Sequence, residues 1–203
     1  MARQQNTDRF AAVRAFSFLT TLAIGGTVGL GLTWFATVSG YGLGAVEAGP
    51  WHAWPKSGTE DADPYARASL ARAGELPLEQ ADGLAFIANT DDDGNALDGR
   101  CDIRVSGKLP QARFWTLTLT DSRGRLIDNA ANRFGFTSAE AVWNGDGTVD
   151  IALGPRARSG NWLPTGARDR VALTLRLYDA PVGIATRTSD APEMPALVTE
   201  SCP

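Results

Sequence analysis

The chain changes texture twice. From Ala15 to Val38 it reads "AFSFLTTLAIGGTVGLGLTWFATV", without a charge, and no charged residue follows before Glu47. As a helix rising 1.5 Å per residue, residues 15–38 reach about 36 Å, enough to cross a hydrocarbon core of about 30 Å with some tilt. Beyond Pro77 the apolar residues recur with period two. In "CDIRVSG" Cys101, Ile103 and Val105 share a face; in "FWTLTLTD" Trp115, Leu117 and Leu119 do; in "TVDIALG" Val149, Ile151 and Leu153 do. "VALTLRLYD" sets Val171, Leu173, Leu175 and Leu177 against Thr174, Arg176 and Tyr178. Strict alternation is the mark of a half-buried strand, so four such strands are expected.

Turn-forming runs separate them: "DDDGNALDG", "DSRG" and "NGDG". Short strands joined by Gly/Asp turns, with no helix of crossover length between them, predict an antiparallel β-sandwich or jelly roll. One short helix precedes it. Asp63 is placed as N-cap, Pro64 at the first helical position and Gly74 at the stop. The organisation expected is a cytoplasmic tail (1–14), a transmembrane helix (15–38), a juxtamembrane linker (39–62) and an extracytoplasmic β domain (63–203).

Arg3, Arg9 and Arg14 stand before the apolar run with only Asp8 opposing them. By the positive-inside rule they predict a cytoplasmic N-terminus and a β domain on the far side of the inner membrane, the periplasm in a two-membrane bacterium. Val46-Glu47-Ala48 also fits a signal-peptidase pattern, but the run is longer than a signal core and reads as an anchor. Gly25 and Gly29 form a GxxxG able to bring two helices together, so a homodimer through this face is an open expectation. Trp34, Tyr41, Trp51 and Trp54 are expected as interfacial belt residues.

Past the arginines the balance is 16 basic against 22 acidic residues, from totals of 19 and 23. A domain that acidic does not suit nucleic acid, which needs a basic face. The single histidine, His52, falls in a stretch rich in glycine and proline and is expected to be interfacial or exposed. With one histidine and two cysteines, the usual zinc sites and histidine-dependent nucleophile systems lack their parts, and no metal or cofactor is expected.

Asp91, Asp93 and Asn95 have the alternate spacing of a calcium loop, with Asp102 where a closing carboxylate belongs. Ala96 replaces the glycine such a loop needs, so a hairpin turn is the reading. Cys101 and Cys202 are expected to pair. Cys101 shares the buried face of Ile103 and Val105, so its partner must reach the core, and the tail carrying Pro192 and Pro195 must fold back over the sheet.

The aromatic-rich strand "FWTLTLTD", the step Asn132-Arg133-Phe134, the "NWLP" of Asn161–Pro164 and the "RLY" of Arg176–Tyr178 together resemble the bacterial family known as domain of unknown function 1214, from about Asp63 to Cys202. The resemblance implies no activity, cofactor or catalytic residue. In larger members this domain follows a companion, domain of unknown function 1254. The anchor here takes the companion's place, which implies a companion supplied in trans by a separate periplasmic protein.

Asn132, Arg133, Asn161, Trp162 and Arg176 are the candidate ligand-binding residues. Trp162 can stack on a ligand and Asn161 offer its amide; alternatively Trp162 plugs the end of the sandwich and Asn161 caps a turn. Arg133 can hold an anion, or pair with Asp121 or Asp128. Arg176 points into a groove or into a surface ion pair. The leading functional expectation is a non-catalytic binding and assembly module; a stand-alone small-ligand or glycan-binding domain and a carboxylate-based envelope hydrolase are the alternatives.

Overall fold

The computed structural model describes residues 2–38, 45–73, 77–78, 82–181 and 192–203. Tyr41 and Gly74, expected as a belt residue and a helix stop, lie outside the described residues. The chain divides into two compact units, Met1–Tyr41 and Gly42–Pro203. The first holds α1 (Ala2–Val38). Within α1, Val13–Ala36 is long and apolar enough to span a membrane.

The second unit is mainly β, and it starts earlier than the alternating pattern suggested. Residues 46–53, expected within the linker, form a hairpin: β1 (Val46–Ala48) and β2 (Trp51–Ala53), joined at Gly49-Pro50. Gly49 adopts φ +60° there, which glycine tolerates without steric cost. Trp51 and Ala53 face inward and are fully buried, so Trp51 is a core residue and not an interfacial anchor. His52, between them, is half-buried opposite Glu47, with Nδ1 3.7 Å from the glutamate Oε1. The expected flexible linker is thus in part a sheet edge.

Helix α2 (Pro64–Ala73) begins as its sequence predicts: the Asp63 carboxylate accepts the Ala66 N–H at 3.2 Å. The remaining strands are β3 (Gly83–Ala88), β4 (Asp102–Gly107), β5 (Phe114–Asp121), β6 (Gly135–Thr137), β7 (Val149–Gly154), β8 (Asn161–Pro164), β9 (Val171–Tyr178) and β10 (Ala196–Ser201). They make a six-stranded sheet in the order β1-β2-β3-β9-β5-β6 and a four-stranded sheet in the order β10-β4-β7-β8. Every pairing is antiparallel except β7 with β8. The alternating residues of both sheets meet in one core: Phe86, Leu117, Leu173 and Leu175 from the larger, Ile103, Ile151, Leu163 and Leu197 from the smaller.

The C-terminal tail does fold back. Strand β10 pairs along β4, Leu197 is fully buried, and Cys101 and Cys202 sit at disulfide distance, their sulfurs 2.01 Å apart. The acidic turn holds this strand. Asp92 and Leu197 exchange hydrogen bonds through Asp92 N to Leu197 O (2.8 Å) and Leu197 N to Asp92 Oδ2 (2.9 Å), and Thr199 donates to Asp91 (2.7 Å). Thr90 and Ala96 bridge across the turn as in a hairpin.

Candidate functional site

The parallel β7–β8 pair borders a concavity. Two parallel neighbours joined only by residues 155–160 require that connection to run back over one face of the sheet; fully extended it covers only about 20 Å. It runs over the outer face. There Arg158 pairs with Asp102, which Ser201 also contacts at 3.2 Å and Arg156 approaches to 3.9 Å. The Asp102 carboxylate is buried beneath this loop, one oxygen without a partner. A Cβ on Gly154 would come 2.6 Å from that oxygen, so a glycine leaves the room the carboxylate occupies.

Beside it a groove of about 520 Å³ is lined by Arg104, Val142, Asn144, Asp150, Ala152 and the 158–161 segment. Arg104 stands on the outward phase of β4 and is fixed from both sides: Nη1 to Asp150 Oδ2 at 2.6 Å and Nε to Glu200 Oε1 at 2.5 Å. Those hydrogen bonds, Glu200's first and Asp150's next, raise its pKa above the ordinary arginine value. Two converging carboxylates are thereby engaged by the one arginine between them, which offsets one of their two charges. That arrangement suits recognition better than acid–base hydrolysis, in which one carboxyl group must hold a proton to donate and not be engaged by a guanidinium. Among the described residues no group of three or more His, Cys, Asp or Glu is placed to hold a metal ion; Asp91, Asp93, Asn95 and Asp102 do not converge on one. The Asp91 carboxylate is instead turned on Asn95 and Thr199. Burial raises its pKa, but those hydrogen bonds outweigh it and leave it lowered.

The expected ligand residues sit elsewhere or are already engaged. Asn161 lines the groove, but its side chain is buried: Oδ1 accepts from Val142 N (2.7 Å), and Nδ2 donates to Val142 O (2.8 Å) and Asp150 O (2.9 Å). It splices the 141–143 segment to β7 and offers no free amide. Trp162 alternates to the outer face, half-buried, its Nε1 donating to Gly154 O at 3.2 Å; it does not plug the end of the sandwich.

Arg133 and Trp162 do come together, through the backbone. Arg133 Nη1 donates to the Trp162 carbonyl at 3.1 Å, and the guanidinium lies 5.2 Å from the centroid of Phe136. Among the described residues it pairs with neither Asp121 nor Asp128. Asn132 is exposed with φ 47°, in a loop pinned by Asn129, whose Oδ1 accepts Arg133 N and whose Nδ2 donates to Ile127 O and Arg133 O. Asn129 was not singled out by the motif. Arg176 belongs to the other sheet, opposite Ala85 and Thr116 on its outward phase, and forms no ion pair among the described residues.

Residues 82–182 match the family described as "Protein of unknown function (DUF1214)". The crystal structure of the VPA0106 protein from Vibrio parahaemolyticus is similar at 23% identity and a TM-score of 0.55, over 70% of this chain and 36% of that one. A structure of an uncharacterised protein from Burkholderia cenocepacia aligns at 18% identity and a TM-score of 0.41, over 89% of this chain and 51% of that one. The chain therefore spans between about a third and a half of the length of these solved relatives. No curated protein matches.

Proposed function

We infer, for a chain that belongs through residues 82–182 to the DUF1214 family, a binding and assembly role. The sandwich is tethered by α1 to the inner membrane, lies on its periplasmic side, and pairs with a companion periplasmic protein. The observation that carries this reading is the likeness to the Vibrio structure. The same fold makes up 36% of the Vibrio chain, so there the sandwich works beside further structure. The two carboxylates held by Arg104 favour binding over hydrolysis, and the apolar span favours a tether.

The test is purification from detergent-solubilised membranes through a tag after Pro203. A companion protein recovered at stoichiometric level is the expected result; a chain that purifies alone under mild detergent overturns the pairing. Topology is read separately. Alkaline phosphatase joined after Ala53 should be active, and the full chain should resist a carbonate wash. An inactive fusion, or a shortened soluble product, removes the periplasmic tether.

A further inference from the structure

The geometry points to the groove around Arg104 as a binding site for an acidic saccharide, a sugar chain carrying a carboxylate among its hydroxyls. The inference goes beyond companion pairing and does not depend on it.

Three features specify the class. First, the groove sets donors and acceptors side by side. Arg104 spends Nε and Nη1 on Glu200 and Asp150, and Arg158 spends Nη2 on Asp102, so each guanidinium keeps N–H groups with no partner among the described residues. Asp150 is held through Oδ2 alone, and Asn144 spends its amide nitrogen on Thr148 at 2.9 Å, which leaves an acceptor oxygen on each. A sugar hydroxyl is both donor and acceptor, and vicinal hydroxyls match such adjacent pairs. Second, Ala152 and Gly160 are small and Val142 is 66% exposed, an apolar strip of the kind the C–H face of a pyranose covers. Third, the arginines are preorganised but not in excess. Asp150 and Glu200 flank Arg104, and Asp102 is approached by both Arg158 and Arg156, so across the three carboxylates and three guanidiniums a bare anion meets as much negative charge as positive. A carboxylate gains from the planar guanidinium fork only when hydroxyls beside it also satisfy the acidic partners. The volume of about 520 Å³ lies within the usual range for small-ligand sites, about 300–1,000 Å³.

The probes are the trimer of galacturonic acid, neutral maltotriose and inorganic phosphate, titrated calorimetrically into the full chain in lipid nanodiscs. The acidic trimer is expected to bind with Kd tighter than about 1 mM, and maltotriose and phosphate at least tenfold more weakly. Val142→Glu adds a repelling charge at an exposed position and should weaken the acidic trimer at least tenfold with the melting temperature unchanged. Arg104→Gln should weaken it likewise, with a lowered melting temperature because Asp150 and Glu200 lose their shared partner. Arg158 is left alone, because removing it would strand the buried Asp102 charge. No binding of the acidic trimer overturns the proposal. So does equal binding of maltotriose or phosphate, or undiminished binding in a folded Val142→Glu variant.

Discussion

The indole Nε1 of Trp51 donates a buried hydrogen bond of 2.9 Å to the carbonyl of Pro195, 144 residues further along the chain. Trp51 lies in the hairpin that opens the sandwich and Pro195 immediately precedes the strand that closes it. The two ends of the domain are therefore fastened to each other as well as to their own sheets. Trp51→Ala is expected to cost about 3–5 kcal/mol, from the cavity left by a fully buried ring. By the same logic a chain begun at Asp63 loses β1, β2 and Trp51. It should be markedly less stable to denaturant than one begun at Ala45, and equal midpoints would refute this account of the hairpin.

The disulfide-distance pair closes a loop of 101 residues, worth at most about 4.7 kcal/mol in the chain-entropy view. Yet β10 is also held by Asp91, Asp92, the β4 ladder and the burial of Leu197. Cys101→Ser with Cys202→Ser should lower the melting temperature while the Leu197 and Thr199 amides stay protected from hydrogen exchange. Loss of protection along β10 in an otherwise folded domain would show that the sulfur bridge alone keeps the tail in place.

Asp121 organises the β5–β6 connection. It accepts Arg125 N at 3.0 Å and Arg123 N at 2.8 Å on one oxygen and the Arg125 guanidinium on the other. The Arg125 backbone hydrogen bond foremost, with the Arg125 side chain and the Arg123 amide, lowers its pKa from 3.8 to about 2. A folded-state pKa below the unfolded one contributes stability that is complete above the unfolded value and lost as pH falls through the folded value. The stability difference between the wild type and Asp121→Asn should therefore be constant from neutral pH to about 4 and shrink between about 4 and 2. Urea titrations of both proteins give that difference directly; one that does not change below pH 4 rules the linkage out.

Asn161 is expected to be structural. Asn161→Leu leaves Val142 N, Val142 O and Asp150 O without their partner, and unsatisfied buried groups cost about 1–3 kcal/mol each. A loss of at least about 2 kcal/mol in denaturant stability is expected. Asn161→Asp should not restore it, because two carbonyls would then face an acceptor. A near-neutral Asn161→Leu would return this amide to the ligand candidates.

Period-two alternation needs only local sequence, because successive side chains point to opposite faces of any strand. That is why Ile103, Val105, Leu117, Ile151, Leu173 and Leu175 could be assigned to the core, and the chain to a β-sandwich with an apolar N-terminal helix, without coordinates. Cys101 belonged to the same phase and so carried the fold-back of the tail with it. The sequence could not say which strand lies beside which, since pairing depends on distant partners. Val46-Glu47-Ala48 and Trp51-His52-Ala53 are too short to show a period alone and become strands only against β3. Asn161 and Trp162 looked like a ligand pair because both are polar or aromatic in a Gly-rich stretch. Register with Ile151 and Ala152 turned the first inward to satisfy backbone groups and the second outward onto the sheet. Arg104, Asp150 and Glu200 were unremarkable outward positions on three strands separated in sequence, and only the order β10-β4-β7 sets their charges in contact.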